Sequence, residues 1–105
     1  MCLYVGVEVV LANLLSANDS ASLQDIVLYC QRLSDVFFDD LHVKSVYMNI
    51  NNREIEQALS RYEREFRHFQ GRFYINEQID LHHFNARFDD DVAAALTGVA
   101  QALTR

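Results

Sequence analysis

Apolar residues recur along this chain with two different periods, and the switches between them mark out its elements. Between residues 22 and 38, Leu23, Ile26, Val27, Cys30, Leu33 and Phe37 fall at helical spacing, with Ser20 or Ser22 placed as a cap and Asp25 in the first turn. After Asp39 and Asp40, the run VKSVYMNI alternates Val46, Met48 and Ile50 with Lys44, Tyr47 and Asn49, the pattern of a strand. Asn51 and Glu54 then have capping-box spacing. Ile55, Ala58, Leu59, Tyr62, Phe66 and Phe69 mark one face of a helix running to Gly71, a C-terminal stop preceded by Arg67 and His68. In RFYI and IDLHHF, Phe73 with Ile75 and Ile79 with Leu81 alternate on either side of Asn76, Glu77 and Gln78, which predicts a short hairpin. Asp89, Asp90 and Asp91 open a last helix, where the positive end of the dipole favours carboxylates, and Val92, Ala95, Leu96, Val99 and Leu103 form its buried side.

The first fifteen residues fit both periods. Leu3, Val5, Val7 and Val9 alternate as a strand would, while Leu3, Val7, Val10, Leu11 and Leu14 share a helical face. Helix is the favoured reading, because VLANLLSA would otherwise be a strongly apolar loop. With no proline, no glycine in a flexible run, no repeat and no linker, residues 1–105 read as one compact α+β domain. It should hold three or four helices and a short antiparallel sheet or hairpin.

Composition supports a folded chain. Of its 105 residues 50% are hydrophobic, including seven Phe and five Tyr, enough for one core and not for two. The formal charge of -6, from 15 acidic and nine basic residues, argues against nucleic acid as the partner, since phosphate binding draws on a basic excess. Cys2 and Cys30 have neither metal-type spacing nor the look of a disulfide framework, so a reduced, cytoplasmic setting is expected. Residues 1–15 lack a basic leading region and are interrupted by Glu8, so they read as part of the fold, with neither a signal peptide nor a membrane span.

Charge becomes informative on the predicted helix of residues 52–70. At about 100° per residue, Arg53, Arg61, Arg64 and Arg67 fall within an arc of about 120° opposite the apolar side. Glu54 and Glu65 border that arc on one side and Glu56 and Glu63 on the other, and Arg61 with Glu65 and Glu63 with Arg67 are spaced to pair. A solvated face laced with ion pairs is the plain reading, and a surface offered to an acidic partner is the sharper one.

A helix, a glycine and a two-stranded hairpin in that order, over residues 51–84, resembles the last part of a winged-helix domain, in which a recognition helix precedes the wing. The resemblance implies a winged-helix-like arrangement and, as an alternative function, a DNA-binding regulator using the arginine face of the helix at 52–70. The candidate wing, INEQID, is acidic where a DNA-touching wing would be basic, and a winged-helix shape also serves protein contacts.

DLHHFNARFDDD carries metal-like ingredients in Asp80, His82, His83, Asp89, Asp90 and Asp91, and a metal-dependent enzyme with a site around residues 80–91 is a further alternative. On a strand, however, His82 and His83 point to opposite sides, and the aspartates serve as cap and first-turn charges. Cys30 falls on the core side of its helix, Cys2 has no identifiable base, Ser16, Ser20, Ser22 and Ser34 fit loop, cap or surface positions, and no glycine-rich phosphate loop exists. The expectation is therefore no enzyme, no cofactor and no metal.

The resulting expectation is a small acidic module that acts by binding another macromolecule, as a regulator, adaptor, inhibitor or immunity-type protein. Its partner surfaces would be the arginine face of Arg53, Arg61, Arg64 and Arg67 and an acidic rim of Asp35, Asp39 and Asp40. Val36, Phe37 and Phe38 make the end of one helix apolar on more than one side, which points to a homodimer.

Overall fold

The computed structural model describes residues 2–40 and 45–103. The described residues form an α+β domain with a three-stranded antiparallel sheet, a two-stranded parallel pair and five helices around one core. The first two residues of the predicted strand, Val43 and Lys44, lie outside the described residues.

The N-terminal segment is both of the things its pattern allowed. Strand β1 (Cys2–Val5) is followed by Gly6 and then by helix α1 (Val7–Ala17). The expected helix over the whole segment is thus corrected: Leu3 and Val5 belong to a strand. Helix α1 is covered around its whole circumference, with Val7, Val9, Val10, Leu11, Ala12, Asn13, Leu14 and Leu15 all buried. A helix enclosed on every side has no polar stripe, and its period is therefore hard to read.

Strand β2 (Ser20–Ser22) leads into helix α2 (Leu23–Asp40). A reciprocal cap starts α2: the Asp25 amide donates to Ser22 Oγ and the Ser22 amide to Asp25 Oδ2. The predicted helix is present, but its buried stripe is Ile26, Tyr29, Leu33 and Phe37, while Leu23 and Val27 face solvent. The Tyr29 hydroxyl, fully buried, donates to the Leu96 carbonyl at 2.9 Å. Strand β3 (Ser45–Met48) returns to β1 and pairs with it in parallel, Leu3 opposite Val46 and Tyr4 opposite Tyr47.

Helix α3 (Asn52–Arg61) has the predicted cap, the Glu54 amide donating to Asn51 Oδ1 at 2.9 Å. It stops at Arg61, nine residues short of its predicted end at residue 70. Residues 62–65 turn, and Phe66 begins strand β4 (Phe66–Phe69), which pairs with β5 (Arg72–Ile75). Two aromatics in FRHF favour a pleated strand. Burial of Phe66 beside Tyr62 and Phe84 fixes the change of direction. Gln70 and Gly71 both have positive φ, 52° and 78°, which is the two-residue turn of a tight hairpin. Gly71 is therefore a turn residue and not a helix stop.

The predicted hairpin of residues 72–84 is displaced accordingly. Its first arm is β5, but its second arm is helix α4 (Leu81–Phe84), capped by Asp80, whose Oδ1 accepts from the amides of His82 and His83. The helix-then-hairpin order behind the winged-helix resemblance is present with an earlier hairpin, and β3, a strand, precedes α3. Helix α5 (Asp90–Ala102) begins as expected, with Asp89 Oδ1 accepting from the Val92 amide. Inside the core, Asn13 and Asn85 bond through both side-chain amides, Asn13 Nδ2 to Asn85 Oδ1 at 2.9 Å and Asn85 Nδ2 to Asn13 Oδ1 at 3.1 Å.

Candidate binding surface

The end of α3 at Arg61 breaks up the predicted arginine face. Arg53 and Arg61 remain on the exposed side of α3, where they share a shallow depression with Glu56, Gln57 and Ser60. Arg64 lies in the turn after the helix and Arg67 on β4. All four are exposed, but a single helical surface does not carry them. Of the acidic rim, Asp35 is exposed on α2, and Asp39 and Asp40 take the last two positions of the same helix.

What the hairpin builds instead is a mixed basic and aromatic sheet face. In the antiparallel sheet of order β2-β5-β4, Arg67 stands opposite Tyr74 and Phe69 opposite Arg72, while Ser20 and Ser22 face Tyr74 and Arg72 from the other side. Directly paired residues share a face, and so do residues two apart on one strand. Ser20, Ser22, Arg67, Phe69, Arg72 and Tyr74 therefore all project from one side. The opposite side carries Ala21, Phe66 and Phe73 into the core.

Contacts hold this outer face in shape. The Arg67 guanidinium lies over the Tyr74 ring, 4.5 Å from its centre. Arg72 Nε donates to Ser20 Oγ at 3.0 Å, and its terminal nitrogen is 3.9 Å from Asp25. Phe69 is left 55% exposed beside the turn. Phe69, Arg72 and Tyr74 had no part in the predicted site, although two aromatic-rich runs separated by only Gln70 and Gly71 are the usual mark of a hairpin. Next to this face, a cleft of about 520 Å³ opens between β2, the start of α2 and the end of α5, with Asp19, Asp25 and Arg72 at its polar side.

The stretch at residues 80–91 is assembled differently from the strand reading. His82 and His83 are exposed on the single turn of α4, and Asp80 and Asp89 each accept backbone amides as caps. Among the described residues, no group of three or more His, Cys, Asp or Glu converges as a metal ion would require. Cys30 is a half-buried thiol lining a groove with Val27, Val46, Met48 and Ile50, and burial pushes its pKa up to about 11. Burial likewise pushes the Tyr29 phenol upward, with a smaller contribution from Cys30. Among the described residues, no helix is long and apolar enough to cross a membrane. Compared with protein-family models, with curated proteins and with solved structures, the chain matches none.

Proposed function

We propose that this chain is an intracellular, non-catalytic interaction module that acts by docking on another macromolecule. The observation that carries the reading is the outer face of the β2-β5-β4 sheet, where exposed Phe69 and half-buried Tyr74 alternate with Arg67 and Arg72. Aromatic and arginine side chains are the types that dominate binding energy at macromolecular contacts. A free thiol at Cys30, shielded and held protonated, suits a reducing compartment.

The test is affinity capture from lysate of the native cell, with wild type set against Arg67→Ser/Phe69→Ser and with nuclease-treated and untreated arms. A macromolecule retained in stoichiometric amount by the wild type and lost by the variant supports the reading. Retention of nothing in either arm overturns it.

Self-association on a different side is favoured by one further observation. Phe38 is 66% exposed at the end of α2, in line with Val27, Gln31 and Ser34 along the groove that α2 forms with β3. A second copy would cover that stripe, and the change Phe38→Ser would then lower the mass seen in light scattering to that of one chain.

A further inference from the structure

The sheet face also specifies what kind of macromolecule fits it. We infer that the outer face of β2-β5-β4 binds single-stranded nucleic acid, with an unpaired base stacked on Phe69 and the backbone held by Arg67, which the Tyr74 ring positions. This inference rests on the interaction-module reading and names its partner.

Local charge is the first argument. The chain as a whole carries -6, yet from Phe66 to Ile75 the sequence has not one carboxylate, and the outer face of this hairpin carries Arg67 and Arg72, with His68 projecting from the other side against Phe73. The acidic residues of INEQID, Glu77 and Asp80, follow β5 and lie outside the hairpin FRHFQGRFYI. Asp25, at the edge of this face, lies 3.9 Å from Arg72. Arg72 is therefore partly neutralised, while Arg67, stacked on Tyr74 and exposed, presents its charge to solvent.

Side-chain type is the second argument. Binding of single strands without strong sequence preference combines a basic surface with aromatic rings on which bases stack, and open sheet faces are a common platform for it. Here two rings and two guanidinium groups alternate across adjacent strands, Arg67 with Tyr74 and Phe69 with Arg72. Adjacent residues on the face are polar and small, Ser20 and Ser22, so a strand can lie across it without a clash against bulky neighbours. A duplex hides its base faces and offers nothing for Phe69 to stack on.

The experiment is fluorescence anisotropy of a labelled twelve-nucleotide oligothymidylate titrated with the full chain. Binding is expected at about 10⁻⁴ M or tighter in low salt, with an affinity that falls as salt rises. The change Phe69→Ala should weaken it on the order of tenfold, the typical effect of losing one stacked base. Arg67→Ser should weaken binding and reduce the log-log salt slope by about 0.7, the contribution of one phosphate on a single strand. Arg32→Ser, at an exposed position of α2, should change neither, and circular dichroism should show all three variants folded.

Lack of binding at low salt, equal binding of a twelve-base-pair duplex, or indifference to both Phe69→Ala and Arg67→Ser would each overturn the inference. If the oligonucleotide fails while lysate capture retains a protein after nuclease treatment, the module stands and its partner is a protein. Failure of both assays removes the module reading as well.

Discussion

Replacing Asn13 by Leu should be far more damaging alone than in company with Asn85→Leu. Asn13 lies on α1 with 1% of its surface exposed and Asn85 follows α4 with 7%, and each amide serves as donor and acceptor for the other. Asn13→Leu leaves one donor and one acceptor of Asn85 without their partner, and each unsatisfied buried group costs about 1–3 kcal/mol. Asn85 sits close enough to the surface for some water to reach it, so the lower half of the range applies to each group and the loss should be about 2–4 kcal/mol. At about 4–8 °C per kcal/mol for a chain of this size, Tm falls by at least about 8 °C. The double variant replaces both partners by apolar groups of similar shape, a change that is commonly close to neutral, so most of the lost stability should return. Urea unfolding followed by far-ultraviolet circular dichroism, run as a double-mutant cycle, measures the coupling directly. Additive losses, with the double variant as weak as the sum of the two single ones, would refute the claim that the pair acts as one buried unit.

Other predictions test the turn, the helix contact and the buried thiol. Gly71→Ala places a Cβ at φ +78° and should cost about 1–2 kcal/mol, whereas Gln70→Asn should raise Tm slightly, because Asn tolerates the left-handed region better. Tyr29→Phe removes the hydroxyl bond from α2 to the Leu96 carbonyl and should cost about 0.5–1.5 kcal/mol in urea unfolding. Cys30 is shifted from its ordinary value of 9.0 to about 11 in the folded chain, so the unfolded chain ionises first as pH rises. Its contribution to stability should be intact below pH 9.0 and lost between 9.0 and about 11, a loss absent from Cys30→Ala in thermal melts across that range.

The legible parts of the fold were those whose signals are local. Ser22 with Asp25, Asn51 with Glu54 and Asp89 with Val92 are short-range bonds, and each helix start they mark was predictable from spacing. The end of α3 was not, because residues 62–70 continue the helical pattern and depart from it only where Phe66 packs against Tyr62 and Phe84 and pairs across to Ile75. Misplacing that end placed Arg64 and Arg67 on a helix, moved the hairpin one arm along and hid the sheet face. Tyr29 was missed for a related reason: a tyrosine reads as amphipathic until a buried acceptor, here the Leu96 carbonyl, is found for its hydroxyl.

Helix α1 has a consequence for how the chain is lost as well as how it stands. It touches α2, α3, α4, α5 and the strands β2 and β5, so each of those elements covers part of an otherwise bare apolar rod. Detaching any one of them uncovers α1, and the penalty falls on the whole molecule. Amides of α1 should therefore exchange with solvent only in global unfolding, while those near the Gln70 and Gly71 turn exchange by small local openings. A chain cut after α2 keeps its central helix with α3, α4, α5 and β5 gone, so fragments should be cleared rapidly instead of persisting as partial modules.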